Sequence, residues 1–157
     1  MGVTSLESIS QERSQRQMKE IWICKPTDLS RGRNIFLIDD IAQLGKNAFN
    51  QSCIIQRYIT NPLLIMGYKW DLRLYVLVTS VQPLTIFMYE EGLVRFSTKK
   101  FSLRGKDISD RYVHLTNSSV NKHNQKKDLS IGPNSKWTLA QLKEYFSNSK
   151  IEYDSLF

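Results

Sequence analysis

Lys25 closes an apolar run, Ile-Trp-Ile-Cys, and stands directly before Pro26 and the polar loop Thr27-Asp28-Leu29-Ser30-Arg31-Gly32-Arg33-Asn34. That pattern can hold an anion. Proline keeps the residue before it extended, glycine lets backbone approach a ligand closely, and flanking guanidiniums fork onto phosphate or carboxylate oxygens. A solvated turn between two strands has the same composition, so the loop taken alone leaves both readings open.

A second group lies in Lys69-Trp70-Asp71-Leu72-Arg73-Leu74-Tyr75. Strand alternation puts Lys69, Asp71, Arg73 and Tyr75 on one face and Trp70, Leu72, Leu74 and Val76 on the other. Residues on one face recur about every 7 Å, a spacing that suits a row of contacts along a nucleotide. The carboxylate can accept from a ribose hydroxyl and the arginine can reach phosphate. The plainer alternative is a half-exposed strand carrying one Asp–Arg pair. Two smaller features complete the set. Arg95 sits in Leu-Val-Arg-Phe-Ser, where it reads equally as an exposed basic residue. His114-Leu115-Thr116-Asn117-Ser118-Ser119 crowds hydroxyls and amides together; these orient phosphate or substrate groups or simply make a turn. No second His or Cys stands at ligand spacing from His114, so its expected role is packing.

These residues need elements to hold them. Residues 1–20 are polar and charged and read as a tail, with 21–157 as the domain. Short strands are expected at 21–24, 34–38 and 53–59, with a capped helix over 39–46. The run 69–79 reads as one long strand heading from a polar rim into a core. Residues 85–97 read as a hairpin turning at Glu91-Gly92, and 97–111 as loop. Lys126 and Lys127 fall in a polar linker before 137–146, whose Leu139, Leu142, Tyr145 and Phe146 recur at helical spacing. Adjacent strands joined by short turns favour an α+β fold with a mostly antiparallel sheet and flanking helices over a doubly wound parallel one.

The 157 residues suffice for one domain with a real core. Twenty-two Lys and Arg against 15 Asp and Glu give a formal charge of +7, which favours anionic partners: nucleotide, nucleic acid, acidic membrane or an acidic protein tail. Cys24 and Cys53 lie in apolar runs and read as buried thiols, not as a zinc or disulfide framework. No apolar stretch approaches the roughly 18 residues of a membrane span, and no secretory leader opens the chain, so a cytoplasmic protein is expected. A nucleic-acid binder would interleave basic residues with exposed aromatics on a sheet; here the aromatics alternate into the apolar face, and no nucleic-acid partner is expected.

Taken in order, Trp-Ile-Cys-Lys-Pro-Thr-Asp-Leu-Ser-Arg-Gly-Arg, the stretch from Ile54 to Ser80, Leu-Val-Arg-Phe-Ser-Thr and His-Leu-Thr-Asn-Ser-Ser-Val-Asn-Lys-His-Asn resemble the tubulin–tyrosine ligase-like family, over about residues 21–124. The resemblance implies an ATP-grasp fold and an ATP- and Mg²⁺-dependent ligase that adds free glutamate to glutamate side chains of acidic tubulin tails, with microtubules as partner and the cytoskeleton, cilium or basal body as location. It implies that Lys25 contacts ATP and that Arg31 and Gly32 belong to the loop over the phosphates, Arg31 also meeting the acceptor peptide. Gln56, Arg57, Tyr58 and Ile59 would run along the adenine. Lys69, Trp70 and Asp71 would serve base and ribose, while Arg73 and Arg95 would hold phosphate and the amino acid's carboxylate. Thr116 and Asn117 would line the nucleotide site, with Ser119 near the amino-acid substrate. Competing classes are a non-catalytic module holding ATP or acidic tails, and a glycine-adding ligase.

Two departures from the family pattern matter. Asn34 stands where the family has a second glycine, and asparagine tolerates the left-handed backbone such a position requires. The family's acidic Mg²⁺ ligands, an Asp and a later Glu-x-Asn, have no counterpart here, and neither does its N-terminal lobe. The expectation is therefore an incomplete ATP-grasp domain with no metal ligands of its own, inactive as a ligase by itself.

Overall fold

A computed structural model describes residues 20–40, 52–125, 129–132 and 134–149. The helix expected over 39–46, the polar tail and the Lys126-Lys127 linker fall wholly or mostly outside those residues. Within them the chain is α+β, and every strand pair is antiparallel.

The first sheet has the order β2-β1-β3, from β1 (Trp22–Pro26), β2 (Phe36–Ile38) and β3 (Cys53–Arg57). The Arg-Gly-Arg loop is the connection from β1 to β2. Ile21, Leu37 and Tyr58 form the buried cluster of this sheet, with Ile23, Phe101, Leu103 and Ile108 packed around them. Cys24 is fully buried, as its apolar run predicts, while Cys53 at the start of β3 is only half-buried. Burial raises the Cys24 pKa, with Cys53 adding to the shift.

A second sheet has the order β4-β7-β8, from β4 (Trp70–Arg73), β7 (Leu93–Phe96) and β8 (Lys136–Thr138). Its inner face carries the larger core: Ile65, Tyr68, Val94, Phe96, Ile131, Leu142 and Phe146, with Trp70, Leu72 and Trp137 against them. The helix expected near the end is present as Leu139–Asn148. Thr138 caps it and exchanges hydrogen bonds with Gln141 in a capping box, and Leu142 and Phe146, four apart, seal the core.

The long strand expected over 69–79 is two strands in two sheets. β4 ends at Arg73, and β5 (Val76–Val81) pairs instead with β6 (Leu84–Met88). The cause is a change of register. Arg73 faces Leu93 but Val76 faces Met88, so three residues advance on one side while five return on the other. Gly92 occupies this joint, where a Cβ would lie 2.7 Å from the Arg73 carbonyl oxygen. Glu91-Gly92 is therefore a joint between the two ladders and not the tip of a hairpin. Nor does the run lead into a core: Leu74 to Val78, Val81, Leu84 and Ile86 to Tyr89 are all exposed. Apolar residues on both faces of a strand read as burial from sequence, and here they mark a projecting ribbon. The expected loop at 97–111 holds a 3-10 turn, Gly105–Ser109, followed by two single-turn helices, Arg111–His114 (α1) and Ser118–Asn121 (α2).

Candidate functional site

The two sheets and the loop between α1 and α2 bring the polar residues together. On the first sheet Ile23 faces Gln56 across the β1–β3 ladder, which places Lys25 diagonally beside Gln56 on one face. The Lys25 ammonium donates to Gln56 Oε1 at 2.8 Å. On the second sheet Asp71 faces Arg95 directly across β4 and β7. Arg95 Nε donates to Asp71 Oδ1 at 2.8 Å and its Nη2 to Oδ2 at 2.6 Å. The pair is two-pronged and half-buried, the geometry in which an Arg–carboxylate contact is strongest; Asp71 holds the Arg95 pKa above its ordinary value. Thr116 then donates to Asp71 Oδ2 at 3.0 Å.

Lys69 joins the group from the residue before β4. Its ammonium donates to the His114 carbonyl oxygen at 2.9 Å and lies 5.7 Å from the centre of the Tyr58 ring. Burial lowers the Lys69 pKa; the Asp71 carboxylate opposes this shift and the Lys25 ammonium adds to it. The Lys69 ammonium thus stands between the ring of Tyr58, which continues β3, and the loop that carries Thr116, and so links the two sheets. Tyr58 is buried, with its hydroxyl 3.1 Å from His114 Nδ1, and burial raises its pKa. His114 is fully buried and its Nε2 lies 2.8 Å from the Asp107 carbonyl oxygen. The carbonyl can only accept, so Nε2 carries the proton and Nδ1 accepts from Tyr58.

Burial pushes the His114 pKa down, against the carbonyl of Asp107 and the carboxylates of Asp110 and Asp107, while Lys69 adds to the fall. A neutral buried histidine must charge when the chain unfolds in mild acid. Its stabilising contribution is complete above the unfolded value of about 6.5 and is lost as pH drops through the lower folded value. Thermal unfolding should therefore show a falling midpoint between about pH 7 and about pH 5.5, with a shallower fall in His114→Gln. A midpoint that rises on acidification, or an equal slope in the variant, contradicts the assignment.

The Arg-Gly-Arg loop docks against α2. Gly32 has φ +76°, and a Cβ there would lie 2.7 Å from Asn117 Oδ1; both the left-handed backbone and the close approach demand glycine. Arg31 (φ 62°) and Asn34 (φ 54°) are left-handed as well, so asparagine does adopt the backbone expected of it at 34. Ser119 Oγ donates to the Arg31 carbonyl oxygen at 2.7 Å. Between loop and helices opens a hollow of about 590 Å³ whose wall includes Ser30, Arg31, Arg33, Arg111, Lys122 and His123. A second hollow of about 350 Å³ lies beyond Thr116, with Ser118, Lys122 and Lys136 in its wall.

Other candidate residues lie elsewhere. Trp70 points to the opposite face of β4 and packs on Phe146, ring centres 6.2 Å apart. Arg57 is exposed and paired with Glu20 at 3.2 Å; Ile59 and Arg73 are exposed. Sequence reasoning did not single out Arg111, Lys136 or Asn121. Only Asn121 left a signal, since it stands one helical turn after Asn117. Among the described residues, no three of His, Cys, Asp or Glu stand together so as to hold a metal ion, and no helix is long and apolar enough to cross a membrane.

The sequence profile of the Tubulin-tyrosine ligase family matches residues 3–156, and the chain belongs to that family. It is 49% identical over 134 residues to a mouse protein named "Probable tubulin polyglutamylase TTLL2", covering 83% of this chain and 24% of that one. To human "Tubulin polyglutamylase TTLL5" it is 50% identical over 101 residues, 64% of this chain and 8% of that one. To mouse "Tubulin monoglutamylase TTLL4" the figures are 41% over 150 residues, 93% and 12%. The chain thus spans a quarter or less of the length of these curated relatives.

Proposed function

We propose that this chain forms the nucleotide- and acceptor-binding part of an ATP-grasp ligase that adds glutamate to glutamate side chains of acidic tubulin tails. The protein carrying it would work in the cytoplasm on microtubules, the cilium and basal body included. The observation that carries this reading is the convergence of the Asp71–Arg95 pair and Thr116, with Lys69 reaching from the same strand to Tyr58 of the first sheet, where Lys25 holds Gln56. The names of the relatives, glutamylases in each case, favour glutamate over glycine as the added amino acid.

ATP, when bound, supplies the phosphoryl group that turns an acceptor glutamate carboxylate into an acyl phosphate with release of ADP; the amino group of a free glutamate then attacks the acyl carbon, phosphate leaves, and an isopeptide bond remains. The chain's own residues bind and orient. Gln56 and the backbone beside Tyr58 offer amide groups for the base, and the Asp71 carboxylate, half-exposed and fixed by Arg95 and Thr116, has lone pairs left for a ribose hydroxyl. Lys25, Lys69 and Arg31 would be the cations that meet phosphate charge, which is where such groups lower a phosphoryl-transfer barrier. The described residues assemble no acidic cluster for Mg²⁺, so no step is assigned to a metal here. The hollow edged by Arg31, Arg33 and Arg111 fits an acidic peptide, and the one beyond Thr116, edged by Lys122 and Lys136, fits the carboxylate of a small amino acid.

A fluorescent glutamate-rich peptide tests the acceptor side by anisotropy. Binding should weaken with added salt and fall about tenfold in Arg33→Glu/Arg111→Glu, where attraction becomes repulsion. Peptide affinity indifferent to both the salt and the charge reversal contradicts the assignment of this hollow.

A further inference from the structure

Asn121 belongs to no contact assigned above, yet its side chain is buried, at 4% exposure, and fully engaged. Its Nδ2 donates to the Leu115 carbonyl oxygen at 2.7 Å and to the Asn117 carbonyl oxygen at 3.2 Å. The Leu115 carbonyl belongs to the peptide that leads into Thr116, and the Asn117 carbonyl, already bonded by the backbone N–H groups of Val120 and Asn121, opens α2. Its Oδ1 accepts from Thr98 Oγ1 at 2.6 Å, and Thr98 Oγ1 in turn accepts from Asn124 Nδ2 at 2.9 Å. Asparagine can do this because one planar amide carries both donor and acceptor. Thr98 follows β7 by two residues, so the relay ties the strand bearing Arg95 to the loop bearing Thr116.

We infer that Asn121 is a positioning residue for the nucleotide site. It acts through Thr116: by holding the peptide group that leads into this residue, and tying it to the first turn of α2, it sets where the Thr116 hydroxyl meets Asp71 Oδ2. A core-filling role needs no polar atom here, and a simple back-bond within α2 accounts for the Asn117 contact alone; the shorter bond, at 2.7 Å, reaches outside the helix to the Leu115 carbonyl. A buried amide with every group satisfied rigidifies what it touches, and a partly satisfied one is costly. Thr98 and Asn124 hold the amide itself in one orientation.

This role rests on the nucleotide reading, and titration calorimetry with ATP on the 157-residue chain separates the two. Asn121→Asp keeps the shape and the acceptor but removes the donor. Its ATP affinity should fall about tenfold, the equivalent of one good buried hydrogen bond. Thr116→Val should weaken binding by a similar factor, and adding Asn121→Asp to it should change little, because coupled residues are not additive. Thr98→Val, which frees the amide from the side remote from the site, should weaken binding in the same direction and serves if Asn121→Asp does not fold. Unchanged affinity in the folded variants, or full additivity with Thr116→Val, overturns the role while leaving the nucleotide site standing. Absence of ATP binding by the unsubstituted chain overturns both.

Discussion

Phe96→Ala is expected to cost the fold about 3–5 kcal/mol, the range for removing a buried aromatic ring. Phe96 is 1% exposed and stands edge-on to Trp137 with ring centres 4.8 Å apart. It lies on β7, the central strand of its sheet, so the void opens between β4 and β8, where neighbours from both sides must hold their places. The same strand carries Arg95 one residue earlier. Urea unfolding followed by tryptophan fluorescence measures the loss directly. A change under about 1 kcal/mol would mean that the site collapses around the smaller side chain and that β7 is not the keystone of the larger core.

Asp71→Asn is expected to act on both stability and binding. The carboxylate accepts three hydrogen bonds, two from Arg95 and one from Thr116. The amide that replaces it carries no charge and turns one acceptor into a donor facing a guanidinium. Arg95, only 20% exposed in its side chain, is left without its counter-charge, and hydrogen bonds to charged groups are worth about 1.5–3 kcal/mol each way such a partner is lost. The exposure of the pair keeps the expected cost near the lower end. ATP affinity should fall by more than about tenfold, because the same change loosens Thr116 and leaves one neutral acceptor, in place of a charged carboxylate, for the ribose hydroxyl. Urea unfolding and calorimetry on one protein preparation read both effects, and a variant with unaltered stability and affinity would remove Asp71 from the centre of the site.

Much of the second sheet was legible in the sequence. Alternation along β4 placed Asp71 opposite to Trp70 correctly, and the spacing of Leu139, Leu142 and Phe146 gave the last helix and its buried side. The polar partner of Asp71 was not legible. Arg73 is the nearer arginine in sequence, but pairing across the ladder is fixed by register, and register puts Arg95 there. The break after Arg73 was hidden for a similar reason. Nothing in Leu-Tyr-Val-Leu-Val announces a change of partner; the signal is Gly92, some twenty residues on, where backbone comes too close for a side chain. Within the candidate site, the Arg-Gly-Arg loop was recognisable by residue type alone, whereas its docking on Asn117 and Ser119 is a long-range contact that no local pattern encodes. His114 read as a packed residue and is one, but its bond to Tyr58 links positions 56 residues apart.

The most direct measurement of the central claim is a calorimetric titration of ATP into the unsubstituted chain and into Asp71→Ala/Arg95→Ala, which removes both members of the pair that joins β4 to β7. Saturable binding that disappears in the double variant, with the fold retained by circular dichroism, is the predicted result. Equal affinity in the two proteins would contradict a nucleotide site built on β4 and β7.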